Sequence, residues 1–185
     1  MIYLASTSPR RKSLLKKAGI SFRILKPDYE ESGRLKAPPS KVVQIHARKK
    51  AESCVGQIKN GTILAADTVV SLNGKIFGKP RNRRQARLML GTLQGRRQSV
   101  YTGVAIFKIR DGRIVKRIVF FDKTDVYLKK LSSKWIRNYF KKVNPLDKAG
   151  AYSLQARRPG IVQRIKGSFS SAVGLPVEKV LKCLN

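Results

Sequence analysis

The sequence predicts an α/β fold in which a mixed β-sheet carries flanking helices. Three observations lead there. Short apolar runs alternate with stretches of helical periodicity, which implies crossover connections between strands. Two tight-turn signals, Asn73-Gly74 and Asp111-Gly112, lie between strand-like runs and imply antiparallel hairpins in the same sheet. The chain has 185 residues, 42% of them apolar, and no Ser/Gly-rich or Pro-rich linker. It therefore fits one domain over 1–185, in one or two lobes, with a real core.

The elements follow in order. Residues 2–5 read as a short buried strand. Ser8-Pro9 supplies an N-cap and a first-turn proline, Leu14, Leu15 and Ala18 give a helix face, and Gly19 stops it. Residues 22–25 read as a strand, followed by a polar loop through Pro38-Pro39. Ser40 is expected to cap a second helix carrying Val42, Val43, Ile45 and Ala47, ending near Gly56. Residues 63–66 form a continuous apolar strand that ends at Asp67-Thr68, and 69–72 pairs with 75–77 across Asn73-Gly74. A helix over 84–93, long strands over 100–109 and 114–128, and a helix opened by Ser132 or Ser133 come next. Residues 145–150 read as a loop, 161–165 as a short strand and 176–184 as a closing helix. No repeat or low-complexity segment is present.

Charge is the unusual feature: 41 Lys plus Arg against 10 Asp plus Glu, a net charge of +31. Clustered cations bind nucleic acid by releasing counterions. Along the chain, however, the cations are even, with 14 in 1–60, 14 in 61–123 and 13 in 124–185. No basic arm stands out, so a nucleic-acid partner is allowed but not favoured. The apolar runs are too short to span a bilayer, and the N-terminus lacks a signal-peptide pattern. Cys54 and Cys183 have no metal-type or disulfide-framework spacing. A cytoplasmic chain without a membrane partner is expected; a homodimer is left open.

Several segments carry candidate chemistry. Ser6-Thr7-Ser8-Pro9-Arg10-Arg11 joins a strand to a helix start, where N–H groups, hydroxyls and guanidinium forks could meet phosphate. Taken alone, it is more often an ordinary helix start. Asp67 closes an apolar run, where an unpaired carboxylate is costly, and a strand-end carboxylate can hold Mg²⁺ or orient water. Lys50, Lys79, Glu30 and Glu31 read singly as surface residues. One histidine, His46, excludes His-rich metal sites and most His-based triads. No P-loop and no dinucleotide-binding glycine fingerprint is present. A phosphate enzyme of this composition must work through a carboxylate, a metal and Lys/Arg clamps.

In order and spacing, these segments resemble the Maf family of nucleotide pyrophosphatases over nearly the whole chain. The resemblance runs from Leu4-Ala5-Ser6-Thr7-Ser8-Pro9-Arg10-Arg11 through Glu30-Glu31, Ala47-Arg48-Lys49-Lys50-Ala51 and Ala66-Asp67-Thr68-Val69-Val70. It continues through Gly78-Lys79-Pro80, Leu93-Gln94-Gly95-Arg96 and Val100-Tyr101-Thr102-Gly103-Val104. Pro145-Leu146-Asp147-Lys148-Ala149-Gly150-Ala151-Tyr152 and Val173-Gly174-Leu175-Pro176 complete it. Each motif is weak alone; nine in register are specific.

The resemblance implies two lobes around a nucleotide cleft, similar to inosine-triphosphate pyrophosphatases. It implies hydrolysis of a nucleoside triphosphate substrate to the monophosphate and pyrophosphate, with Mg²⁺ or Mn²⁺. Asp67 corresponds to the catalytic carboxylate that activates water or holds the metal, with Glu30 or Glu31 as a further metal-site acid. Ser6, Arg10, Arg11, Lys50 and Lys79 correspond to phosphate or substrate contacts. Arg10, Thr68 and Gln155 correspond to specificity positions, and the stretch ending at Gln155 resembles the branch acting on dTTP and UTP. An amide both donates and accepts, which suits a pyrimidine edge. Departures from the family pattern are Gln98, Trp135, Asn144 and Ala156-Arg157-Arg158-Pro159. A nucleic-acid-binding protein, or a member that binds nucleotides without turnover, are the alternative functions.

Overall fold

The computed structural model describes residues 1–30, 35–155 and 160–184. Seven strands form one mixed sheet: β1 (Ile2–Ala5), β2 (Phe22–Leu25), β3 (Gly61–Leu72), β4 (Lys75–Phe77), β5 (Arg97–Arg110), β6 (Arg113–Leu128) and β7 (Val162–Lys166). Their order is β2-β1-β3-β5-β6-β7, with β4 also paired to β3. β1 runs parallel to β2 and β3; the remaining pairs are antiparallel. The helices are α1 (Pro9–Lys17), α2 (Pro39–Glu52), α3 (Arg83–Leu93), α4 (Ser133–Lys142), α5 (Phe169–Val173) and α6 (Val177–Leu184).

Alternation along β3 sorts the core. Ile63 and Ala65 pack with Ala47, Ala51 and Cys54 around α2. Leu64 and Ala66, pointing the other way, pack with Leu15 of α1 and Val177 and Val180 of α6. Further along the same strand, Val70 and Leu72 join Leu90 and Leu93 of α3 and Ile136, Tyr139 and Phe140 of α4. One lobe is thus a sheet between α2 and the α1–α6 pair. The other is built on the far ends of β3, β5 and β6. The long central strands belong to both lobes, so the junction between them is made of continuous backbone.

The structure departs from the sequence expectations at four places. β3 does not end at Asp67; it runs unbroken for 12 residues, and Asp67 pairs with Gly103 in mid-sheet. α2 begins at Pro39 behind Pro38, without a side-chain cap, because proline at the first turn has no N–H to satisfy. Ser40 therefore lies inside the helix. Ser8 precedes α1 but its side chain makes no cap hydrogen bond; its N–H donates to Ser6 Oγ at 3.2 Å. A short helix, α5, precedes the expected closing helix and is separated from it at Gly174, whose φ of 133° no L side chain favours. Asn82 and Ser132 cap α3 and α4, each accepting a backbone N–H three residues on. No described helix is long and apolar enough to cross a membrane.

Candidate active site

The opening in the sheet is set by strand lengths. β1 pairs with β3 only through Leu64, and β4 takes up the same edge again at Val70. Between them, the stretch 65–69 has no strand partner on that side among the described residues. A cleft of about 460 Å³ opens there. Asp67 and Thr68 lie in this gap and point to opposite faces of β3, so one strand supplies both walls.

Asp67 is 4% exposed and Lys50 is 8% exposed. Lys50 Nζ donates to Asp67 Oδ1 at 2.7 Å. A buried carboxylate or ammonium is costly alone, and pairing offsets part of that cost. Helix periodicity explains how Lys50 gets there. Val43, Ala47, Lys50 and Ala51, spaced 4, 3 and 1 apart, lie on one buried α2 face. That face is pressed onto the sheet at Gly103, opposite Asp67: a Cβ on Gly103 would lie 2.3 Å from the Val43 carbonyl oxygen. Glycine at 103 therefore sets the height of α2, and with it the reach of Lys50.

The opposite wall is a hydrogen-bonded array. Arg11 donates through Nε to the Gly174 carbonyl at 2.9 Å, and through its Nη atoms to Ser6 Oγ at 3.2 Å and Thr68 Oγ1 at 3.3 Å. Thr68 Oγ1 lies 3.0 Å from Thr102 Oγ1, which donates to the Ser171 carbonyl at 2.8 Å. The guanidinium fork is thus fixed before any ligand arrives. Arg10 reaches across the cleft, from α1 to the loop before the Ala149–Ala151 turn. Its Nη atoms donate to Asp147 Oδ2 at 2.8 Å and to the Asp147 carbonyl at 2.7 Å. Lys148 Nζ donates to the other oxygen, Oδ1, at 2.6 Å. Partial burial pushes the Asp147 carboxyl up, but the bonds and charges of Lys148 and Arg10 outweigh it and hold the group below the ordinary carboxylate value.

Ser6, Arg10, Arg11, Lys50, Asp67, Thr68, Lys79 and Gln155 all line this one cleft. Lys79 is exposed at its rim, where the Gly78 carbonyl accepts from Gly150 N–H at 3.0 Å. Gln155 is exposed, with its N–H donating to Ser153 Oγ at 3.3 Å. Glu30 is exposed and outside the cleft lining, whereas its neighbour Tyr29 is within it. Glu31 lies outside the described residues, as do Ala156-Arg157-Arg158-Pro159. Among the described residues, no three His, Cys, Asp or Glu side chains gather as a metal-holding group. His46, on α2, is buried, with Nδ1 at 2.8 Å from Tyr29 Oη.

Sequence reasoning gave Asp147 and Tyr29 no part in the site. Asp147 lies in a stretch whose sequence reads as a loop, and its partner Arg10 is 137 residues away in the chain. Among the departures, Gln98 is buried with its amide making no hydrogen bond among the described residues. Trp135 stacks on Tyr139, and Asn144 Oδ1 accepts from Leu146 N–H. None of these three lines the cleft.

The dTTP/UTP pyrophosphatase of Caldanaerobacter subterraneus subsp. tengcongensis is 42% identical over 184 residues, covering 99% of this chain and 87% of that one. The dTTP/UTP pyrophosphatase of Pelotomaculum thermopropionicum is 39% identical over 183 residues, covering 99% and 94%. Among solved structures, the Staphylococcus aureus Ham1 protein is similar with a TM-score of 0.48 at 16% identity, covering 100% of this chain and 99% of that one. A family model described as Maf-like protein matches residues 1–185. With a family model spanning its length and relatives this similar along nearly all of it, the chain belongs to the Maf family.

Proposed function

We propose that this protein hydrolyses dTTP and UTP to the monophosphate and pyrophosphate, with Asp67 as its central carboxylate. The observation that carries the reading is the buried Lys50–Asp67 pair, set in the gap of the β3 edge and facing a cleft lined by Arg10, Arg11 and Lys79. The relatives' activity supports it.

The residues divide the work. Lys50 occupies Oδ1 of Asp67, leaving Oδ2 for the cleft. Asp67 then orients the attacking water, accepts its proton, or lends an oxygen to a metal ion. Arg11, fixed by the Gly174 carbonyl, presents its fork between Ser6 and Thr68 as a phosphate clamp. Lys79 closes the rim. Arg10 shares its guanidinium between Asp147 and the incoming polyanion. Gln155 and Thr68, with Arg10, stand where the base is discriminated.

A single deep carboxylate suits Mg²⁺ or Mn²⁺, since such ions take one or two carboxylates and fill their remaining positions with phosphate oxygens and water. Asp67 would hold the ion; of the two further candidate acids, Glu30 lies outside the cleft lining. When bound, the ion neutralises phosphate charge and makes water a better nucleophile. The water oxygen bonds to the α-phosphorus, the bond to the α–β bridging oxygen breaks, and pyrophosphate leaves with that oxygen. The water's second proton passes to solvent.

The test is a panel of UTP, dTTP, CTP and 7-methyl-GTP with Mg²⁺, assaying pyrophosphate and orthophosphate separately. Pyrophosphate from UTP and dTTP, abolished by EDTA, is the expected result. Orthophosphate without pyrophosphate refutes α–β cleavage, and nucleotide binding without turnover makes the chain a non-catalytic member.

A further inference from the structure

The cations are even along the sequence, but the acids are not. Residues 68–100 include eight Lys and Arg and no Asp or Glu; residues 126–166 include eleven and only Asp147. The fold gathers the described residues of both stretches around the hydrophobic cluster that joins α3 to α4. Their one acid, Asp147, is taken up by Arg10 and Lys148 at the cleft. Among the described residues, Asp125 stands at the edge of this lobe, 4.0 Å from Arg97 and from Lys123, while α3 and α4 themselves carry no carboxylate.

We propose that the outer surface of α3 and α4 binds the phosphate backbone of a nucleic acid, apart from the cleft and whatever its activity. α3 exposes Arg83, Arg84 and Arg87. α4 exposes Lys134, Arg137 and Lys141, spaced three and four apart on one stripe opposite its buried Ile136, Tyr139 and Phe140. The two helices pack against each other. Among the described residues, none of these six cations pairs with a carboxylate. Arg83, Arg84 and Lys134 occupy first turns that contain no acid, where the helix dipole already opposes positive charge. An external polyanion would relieve that repulsion. A membrane surface fits less well: an interfacial helix needs a free apolar face, and those of α3 and α4 are spent on the core. Trp135 is stacked on Tyr139, so the contact falls on phosphates rather than bases.

The experiment is fluorescence anisotropy of a labelled single-stranded RNA, titrated with the full chain across a KCl series. Two triple variants are compared: Arg83→Glu, Arg84→Glu, Arg87→Glu on α3, and Arg110→Glu, Arg113→Glu, Lys116→Glu at the far β5–β6 hairpin. Both change net charge equally, and circular dichroism and melting temperature check that each is folded. The parent should bind with a steep salt dependence. The α3 variant should flatten the slope of log K against log[KCl] by about two units and bind at least roughly tenfold more weakly at about 100 mM KCl. The hairpin variant should stay within about twofold, its charges lying beyond a Debye length. No saturable parent binding, or equal losses in both variants, overturns the proposal. So does tighter binding to phosphatidylserine vesicles that RNA does not displace.

Discussion

Asp67, 4% exposed, stands 2.7 Å from Lys50, so two groups that would each be costly to bury alone are buried as a pair. Asp67→Asn keeps the shape and removes the charge, so turnover should drop at least about a hundredfold, the low end for loss of an acid–base group. Unchanged circular dichroism should accompany that loss; a near-normal rate would make Asp67 a structural residue. Gln155 tests the other end of the cleft. In Gln155→Glu a carboxylate faces pyrimidine carbonyl oxygens, and kcat/KM for UTP and dTTP should fall about ten- to a hundredfold. Loss of the same size on CTP and 7-methyl-GTP would mean that Gln155 supports the loop and reads no base. At this scale the sequence was informative because motif spacing survives in one dimension. Ser6, Arg10, Arg11, Lys50, Asp67, Thr68, Lys79 and Gln155 share one cleft. What it could not give was partnership: Arg10 with Asp147 spans 137 positions, and no local pattern encodes that.

Elements bring these residues to their places, and α2 matters most. Its approach to Gly103 leaves no room for a methyl group, since the added Cβ would overlap the Val43 carbonyl. Gly103→Ala must lift α2 or bend β5, costing about 1–3 kcal/mol as overpacking and moving Lys50 off Asp67. A melting temperature lower by several degrees together with lost activity is expected; an unchanged protein would show that α2 yields freely. The α5–α6 junction offers a pH test. Hydrogen bonds from Ser170 and, less strongly, Ser168 hold the Glu178 carboxyl below its ordinary value of 4.5. A depressed folded pKa stabilises above the unfolded value and is lost as pH falls through the folded one. Stability should therefore decline below pH 4.5 more steeply in the parent than in Glu178→Gln. The effect should be under about 1 kcal/mol because Glu178 is exposed to solvent. Identical acid limbs in chemical-denaturation curves would contradict it. Most strands and helices were legible from periodicity and turn chemistry. The unbroken β3 was not, because an Asp inside an apolar run looks like an end until Gly103 opposite and Lys50 above are known.

Across the whole molecule, the cleft exists because β1 and β4 leave a gap on one edge of a strand shared by both lobes. The bond from Arg10 to Asp147 closes over it. An incoming triphosphate competes with Asp147 for that guanidinium, so Asp147→Asn should weaken the clasp and lower KM for UTP by a few-fold, about 1 kcal/mol. A raised KM would mean that Asp147 positions Arg10 for the substrate. The even count of cations along the chain hid the scarcity of acids on one lobe, since segments far apart in sequence, 68–100 and 126–166, share a core. The central claim is that water attacks the α-phosphorus in a cleft centred on Asp67. Hydrolysis of UTP in ¹⁸O-water, followed by mass spectrometry of the products, tests it directly. The account predicts one ¹⁸O in the monophosphate and none in pyrophosphate; label in pyrophosphate or in released orthophosphate would contradict it.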